Sequence, residues 1–181
     1  MSNLYSFIGG HTGSWQIVGK NPIRGADINS CSKLDIVEGY VSDKPKGSQW
    51  LFRGFTSNLR YTTKAEKTLL DIKQAATTQN PANAALILIK KNPAWWSLAQ
   101  DERRAIFEES SHHTSVGLKY LPAIDRRLYH SRDLDEPFDF ITWFQYVPAH
   151  IATFNELLFK LRLTEEWKYV EHEIDIRLIR T

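Results

Sequence analysis

From Val170 to Leu178 the chain alternates without a break. Val170, His172, Ile174, Ile176 and Leu178 fall on one side, and Glu171, Glu173, Asp175 and Arg177 on the other. A period of two marks a strand, because successive side chains leave a sheet on opposite faces. Its carboxylates are expected to point at solvent or at Arg177 rather than to form a metal box. Ala84–Ile89 is a second kind of strand, a continuous apolar run suited to cover on both faces.

Further strands are expected around these two. Tyr5–Ile8, Trp15–Val18 and Leu34–Val37 are short apolar patches between Gly-rich turns. Gly9-Gly10-His11-Thr12-Gly13 lacks the Lys-Ser/Thr of a nucleotide loop and precedes no long helix, so it reads as a turn. Gln49–Asn58 places Trp50 and Phe52 on one face. Thr63 and Glu66 have capping-box spacing, which predicts a helix to about Ala76 with Leu69, Ile72 and Ala76 buried. Ser97 and Gln100 repeat that spacing before a helix to about Glu109. Gly117–Tyr129 and Phe138–Val147 read as strands joined by the loop His130–Pro137. A hairpin symmetric about that loop sets Arg126 near Thr142, with Phe144 next on the same face. Pro148 opens a helix whose stripe of Ile151, Phe154, Leu157, Leu158 and Leu161 is core. The order strand–helix–strand–helix, then strand–strand–helix–strand, predicts one α+β domain over 1–181, of ferredoxin-like type.

Charge narrows the function. With 23 basic and 21 acidic residues the net charge is +2, which offers nothing for nucleic acid or an anionic membrane to recognise. Cys31 stands alone, so no internal disulfide forms. No apolar stretch approaches the ~20 residues of a membrane span, and the N-terminus lacks a leader pattern. A cytoplasmic protein is expected.

Two stretches carry candidate chemistry. Ser110–Tyr129 holds the pair His112-His113 and, further on, Arg126: a metal ligand and a fixed cation that could serve one pocket. Lys90-Lys91-Asn92-Pro93-Ala94-Trp95-Trp96 leaves the Ala84–Ile89 strand as either a surface turn with two anchoring aromatics or the rim of a pocket for a flat, acidic ligand. Taken singly, each residue has an ordinary reading. A His pair in a polar turn is usually solvated, a strand Arg usually pairs with a nearby acid such as Asp125 or Asp139, and a Glu at a helix end usually faces water.

The ordered set changes that balance. Lys91-x3-Trp95-Trp96, then His113-x4-Leu118-x-Tyr120-Leu121, Arg126, Leu128-Tyr129-His130-Ser131 and Glu166 resembles the short form of the chlorite dismutase family, within the dimeric α+β barrel group. The likeness runs from about Tyr61 to Arg180 and fades over residues 1–48, where longer members carry a complete N-terminal repeat. It implies that His113, rather than His112, is the proximal ligand of haem b iron, its other ring nitrogen donating to Glu166. Lys91, Trp95 and Tyr61 would meet the propionate edge, and Trp96 would pack near ring and ligand. Thr142 and Phe144 would line the distal side, with Arg126 as the catalytic cation. The implied protein is a homodimer with one haem b per subunit that turns chlorite into chloride and dioxygen, forming the O–O bond at the haem. Two alternatives remain within that resemblance: a coproheme decarboxylase, and a haem-binding protein with weak peroxidase activity. Against the first, one bacterial group of decarboxylases has Gln at the position of Arg126 and a reactive Tyr at that of Ile87. A third alternative is a ferredoxin-like module with no cofactor.

Overall fold

The computed structural model describes residues 3–56, 62–75 and 81–181. Eight strands form a closed barrel: β1 (Leu4–Gly10), β2 (Trp15–Arg24), β3 (Lys33–Glu38), β4 (Trp50–Phe55), β5 (Asn83–Lys91), β6 (Asp125–His130), β7 (Phe140–Tyr146) and β8 (Val170–Arg180). Their order around the barrel is β1-β3-β2-β8-β5-β7-β6-β4, every pairing antiparallel. Among the described residues five α-helices accompany them: α1 (Lys64–Ala75), α2 (Pro93–Ser97), α3 (Gln100–Arg104), α4 (His113–Tyr120) and α5 (Ile151–Arg162). A π-helical turn, Ala105–Ser110, continues α3. No helix among the described residues is long and apolar enough to cross a membrane.

β5 shows why its sequence is apolar throughout. Ala84, Leu86 and Leu88 enter the barrel interior with Phe7, Trp50 and Trp143. Ala85, Ile87 and Ile89 face outward into a second core under α5, with Phe154, Leu157 and Leu158. A strand between two cores has no solvent face on which to place a polar residue.

β8 pairs with both β2 and β5. Its carboxylates meet the expectation in part: Glu171 is exposed and Asp175 is bonded to Arg177. Glu173 and Asp175 are, however, buried beneath α5, 1% and 2% exposed. Arg162 of α5 bonds both carboxylates, at 2.7 and 3.0 Å, and Arg177 reaches Asp175 at 2.5 Å. Trp167 Nε1–H donates to Glu173 at 2.8 Å. Buried carboxylates persist only when paired in this way.

The long strand expected over 117–129 is also corrected. Residues 113–120 are helical, and β6 begins only at Asp125. The helix start is secured from outside: the Glu108 carboxylate accepts the Thr114 N–H at 2.6 Å and the Ser115 N–H at 3.2 Å. Those donors would otherwise lack partners. Pro122 then forces its neighbour toward extended backbone and ends the helix.

Other differences are local. The hairpin pairs Arg126 with Phe144 and Leu128 with Thr142, two residues from the symmetric register. A shift of two preserves facing, so all four share one side. The capping box at Thr63/Glu66 forms. The second cap sits at Ala99, whose N–H donates to Glu102 at 2.7 Å, while Ser97 Oγ bonds back to Pro93 O. In α1, Leu69 and Ile72 are 50% and 63% exposed instead of buried. The helix turns Glu66, Leu70 and Lys73 inward, because Glu66 pairs with Arg104 and Lys73 Nζ donates to Leu118 O at 2.6 Å. Ala76 lies outside the described residues.

Candidate functional site

The outer faces of β5, β6 and β7 form a floor. Ile87 and Ile89, Thr142 and Phe144, Arg126 and His130 lie there because residues two apart on a strand share a face. α4 and α5 roof this floor and enclose a cavity of about 390 Å³. Such a volume suits a small molecule or cofactor. Most of the lining is apolar. Lys67, Asp71 and Arg127 are exposed lining residues and mark where the cavity meets solvent.

His113 is the first residue of α4 and lines the roof. Its Nδ1 lies 2.6 Å from Glu166 Oε2. A carboxylate accepts, so Nδ1 carries the hydrogen and Nε2 is the ring nitrogen left for another partner. Phe107 stacks on the ring at 4.4 Å, and Trp167 lies parallel to it at 6.5 Å.

Glu166 sits on a 3₁₀ turn, Glu165–Tyr169, and is buried. Burial alone would raise its pKa. His113 and Lys91, each bonded to it, outweigh that and hold the carboxyl at about 2. Lys91 Nζ lies 2.7 Å from Glu166 Oε1 and 4.4 Å from the Trp95 ring centroid. Burial pushes the Lys91 ammonium down, while Glu166, Asp139 and Glu173 oppose the shift.

Arg126 lines the same cavity from β6. Its guanidinium is pushed down by burial, against the pull of Glu166, yet a guanidinium stays ionised at any working pH. An imidazole from α4 and a fixed cation from β6 thus line one largely apolar cavity. Such a lining could hold a planar metal complex through the imidazole and an anion through the guanidinium. Among the described residues no group of three or more His, Cys, Asp or Glu is placed to hold a bare metal ion.

Of the residues singled out by sequence, His113, Lys91, Trp95, Glu166, Arg126, Thr142 and Phe144 all line this cavity. Trp96 stands outside the lining, against expectation. It stacks on Phe140 at 6.0 Å, donates to Asp139 at 3.2 Å and carries Arg132 over its ring at 4.1 Å. Lys91 is turned to Glu166 rather than outward. Tyr61 lies outside the described residues. Phe107 and Trp167 were missed; only their nearness in sequence to His113 and Glu166 could have suggested them.

A family model described as chlorite dismutase matches residues 48–180. The chain belongs to the chlorite dismutase family. A chlorite dismutase from Ideonella dechloratans is 34% identical over 119 residues, 64% of this chain and 40% of that protein. The chain therefore spans well under half of that relative's length. The dimeric chlorite dismutase from Nitrobacter winogradskyi is 48% identical and superposes with a TM-score of 0.91, over 98% of this chain and 99% of that one. A chlorite dismutase from Candidatus Nitrospira defluvii, in complex with imidazole, is 19% identical with a TM-score of 0.73, over 99% and 92%. At that identity the likeness is one of fold.

Proposed function

We propose that this chain is a haem b enzyme that converts chlorite to chloride and dioxygen. One observation carries the reading: the His113–Glu166 pair and Arg126 line one largely apolar cavity. The residues present fit haem. An imidazole bonded to a buried carboxylate, a largely apolar lining and a fixed cation are what a haem group and an anionic substrate would need.

When bound, haem supplies the redox chemistry that breaks the Cl–O bonds. His113 would hold it through Nε2. Glu166 orients the imidazole and strengthens its donation, and Lys91 keeps Glu166 ionised and fixed. Trp95 backs Lys91. Arg126 holds the chlorite anion by charge and directed N–H donors, and keeps the chlorine oxyanion inside until dioxygen has formed. Thr142 and Phe144 bound the substrate space. Tyr61 keeps its proposed role at the carboxylate edge, and Trp96 acts at one remove, by stiffening Phe140.

The decarboxylase reading is disfavoured by Ile87. It stands on the cavity floor, 2% exposed, and offers no phenol four residues before Lys91. A homodimer in the cytoplasm is the assembly and place proposed; the dimer of the Nitrobacter protein supports the first.

The test is oxygen release, by electrode, from haem-loaded protein given chlorite at mildly acidic pH. Rapid evolution of about one dioxygen per chlorite is expected. A clean ferric haem spectrum with no oxygen would move the decarboxylase and haem-carrier readings forward.

A further inference from the structure

The π-helical turn Ala105–Ser110, with Ser111 after it, touches both halves of the His113–Glu166 pair. A π-turn widens a helix by one residue and recurs at functional sites. Here Ser111 N–H bonds five residues back, to Ile106 O at 3.1 Å. His112 then turns left-handed, with φ at 52°, before α4 begins at His113.

Three contacts follow from that path. Phe107 lays its ring on the His113 imidazole at 4.4 Å, 22° from parallel. Glu108, buried, caps α4 by accepting from Thr114 N–H, Ser115 N–H and Ser115 Oγ–H, the last at 2.5 Å. Ser111, also buried, accepts the backbone N–H of Glu166 at 2.8 Å. One turn thus sets the tilt of the imidazole, the helix that carries it and the backbone of its carboxylate partner. His112 offers α4 no side-chain cap, so the helix start depends on Glu108.

We propose that Glu108 and Ser111 are positioning residues for this site: they set the length and angle of the His113–Glu166 hydrogen bond, and through it the donor strength of His113. The inference rests on reading His113 as the ligand, but its first test does not need haem. A hydrogen bond weakened by its supports opens more often, and its proton exchanges faster.

The experiment is ¹⁵N/¹H NMR of the His113 Nδ1–H in ligand-free protein, for wild type, Glu108→Gln, Ser111→Ala and Ser111→Thr. Exchange about tenfold faster is expected in Ser111→Ala and Glu108→Gln, with wild-type behaviour in Ser111→Thr. Denaturation midpoints measured alongside separate this from a general loss of stability. Should Glu108→Gln fail to fold, the Ser111→Ala and Ser111→Thr pair decides alone. Unchanged exchange in a folded Ser111→Ala protein overturns the proposal. In haem-loaded protein the ferrous iron–histidine vibration should fall in Ser111→Ala and recover in Ser111→Thr. Loss of that vibration from wild type would refute the ligand reading, and the ligand-free exchange rates would still judge the positioning role.

Discussion

Lys91 and His113 divide one carboxylate between them: Nζ lies 2.7 Å from Oε1 of Glu166, and Nδ1 lies 2.6 Å from Oε2. Both oxygens are thereby fixed in a site nearly closed to water. Lys91 is 4% exposed and Glu166 5%. Removing one partner of a buried ion pair strands the other charge, at a cost of roughly 3–5 kcal/mol. Lys91→Met should therefore destabilise ligand-free protein by about that amount in urea denaturation. The double change Lys91→Met/Glu166→Gln should recover part of the loss. A single variant as stable as wild type would mean that the pair is not holding Glu166.

Arg126→Ala should leave haem uptake close to wild type, since Arg126 comes from β6 and the proposed ligand His113 from α4. Turnover of chlorite should fall by about 10²-fold, the usual scale for losing one preorganised charge-stabilising donor. Inactivation during turnover should come sooner, because the chlorine oxyanion escapes. Steady-state kinetics and total turnovers before inactivation measure both. Activity and durability equal to wild type would remove the role.

His113→Ala should lose haem or bind it loosely, while His112→Ala should not. His112 is exposed, and no side-chain bond of it caps α4. Titration with haem, followed by the ferric absorption spectrum, distinguishes them. A wild-type spectrum in His113→Ala would transfer the ligand elsewhere.

Acid should loosen α1 by a separate route. Glu66 is held at about 2, chiefly by its hydrogen bonds with Arg104, burial acting the other way. The contact is two-pronged, at 2.8 and 3.0 Å. A carboxyl with a depressed folded pKa stabilises above its unfolded value of 4.5, and that contribution is lost as pH falls through about 2. Partial exposure limits it to about 0.5–1 kcal/mol. Glu66→Gln should cost that much at pH 7 and flatten the stability profile between those two pH values. An unchanged profile would show that the pair contributes nothing.

Local periodicity settled much of this protein in advance. The alternation of β8, the apolar run of β5 and the stripe of α5 from Phe154 to Leu161 each reflect which faces an element must bury, and that information is written every two or three to four residues; Ile151, expected in that stripe, is 41% exposed at the start of the helix. His113 was preferred to His112 on the family resemblance, through its spacing to Leu118 and Tyr120; in the structure His113 lines the cavity with Nδ1 2.6 Å from Glu166. What the sequence could not decide was set by partners distant in the chain. Residues 113–120 are a helix because Glu108 satisfies its first N–H groups. Glu173 and Asp175 are buried because α5 brings Arg162 over them. Lys91 turns to Glu166, 75 residues away, because a buried ammonium must find an anion. A period reports which way a side chain points; only the closed barrel and its roof decide what it meets there.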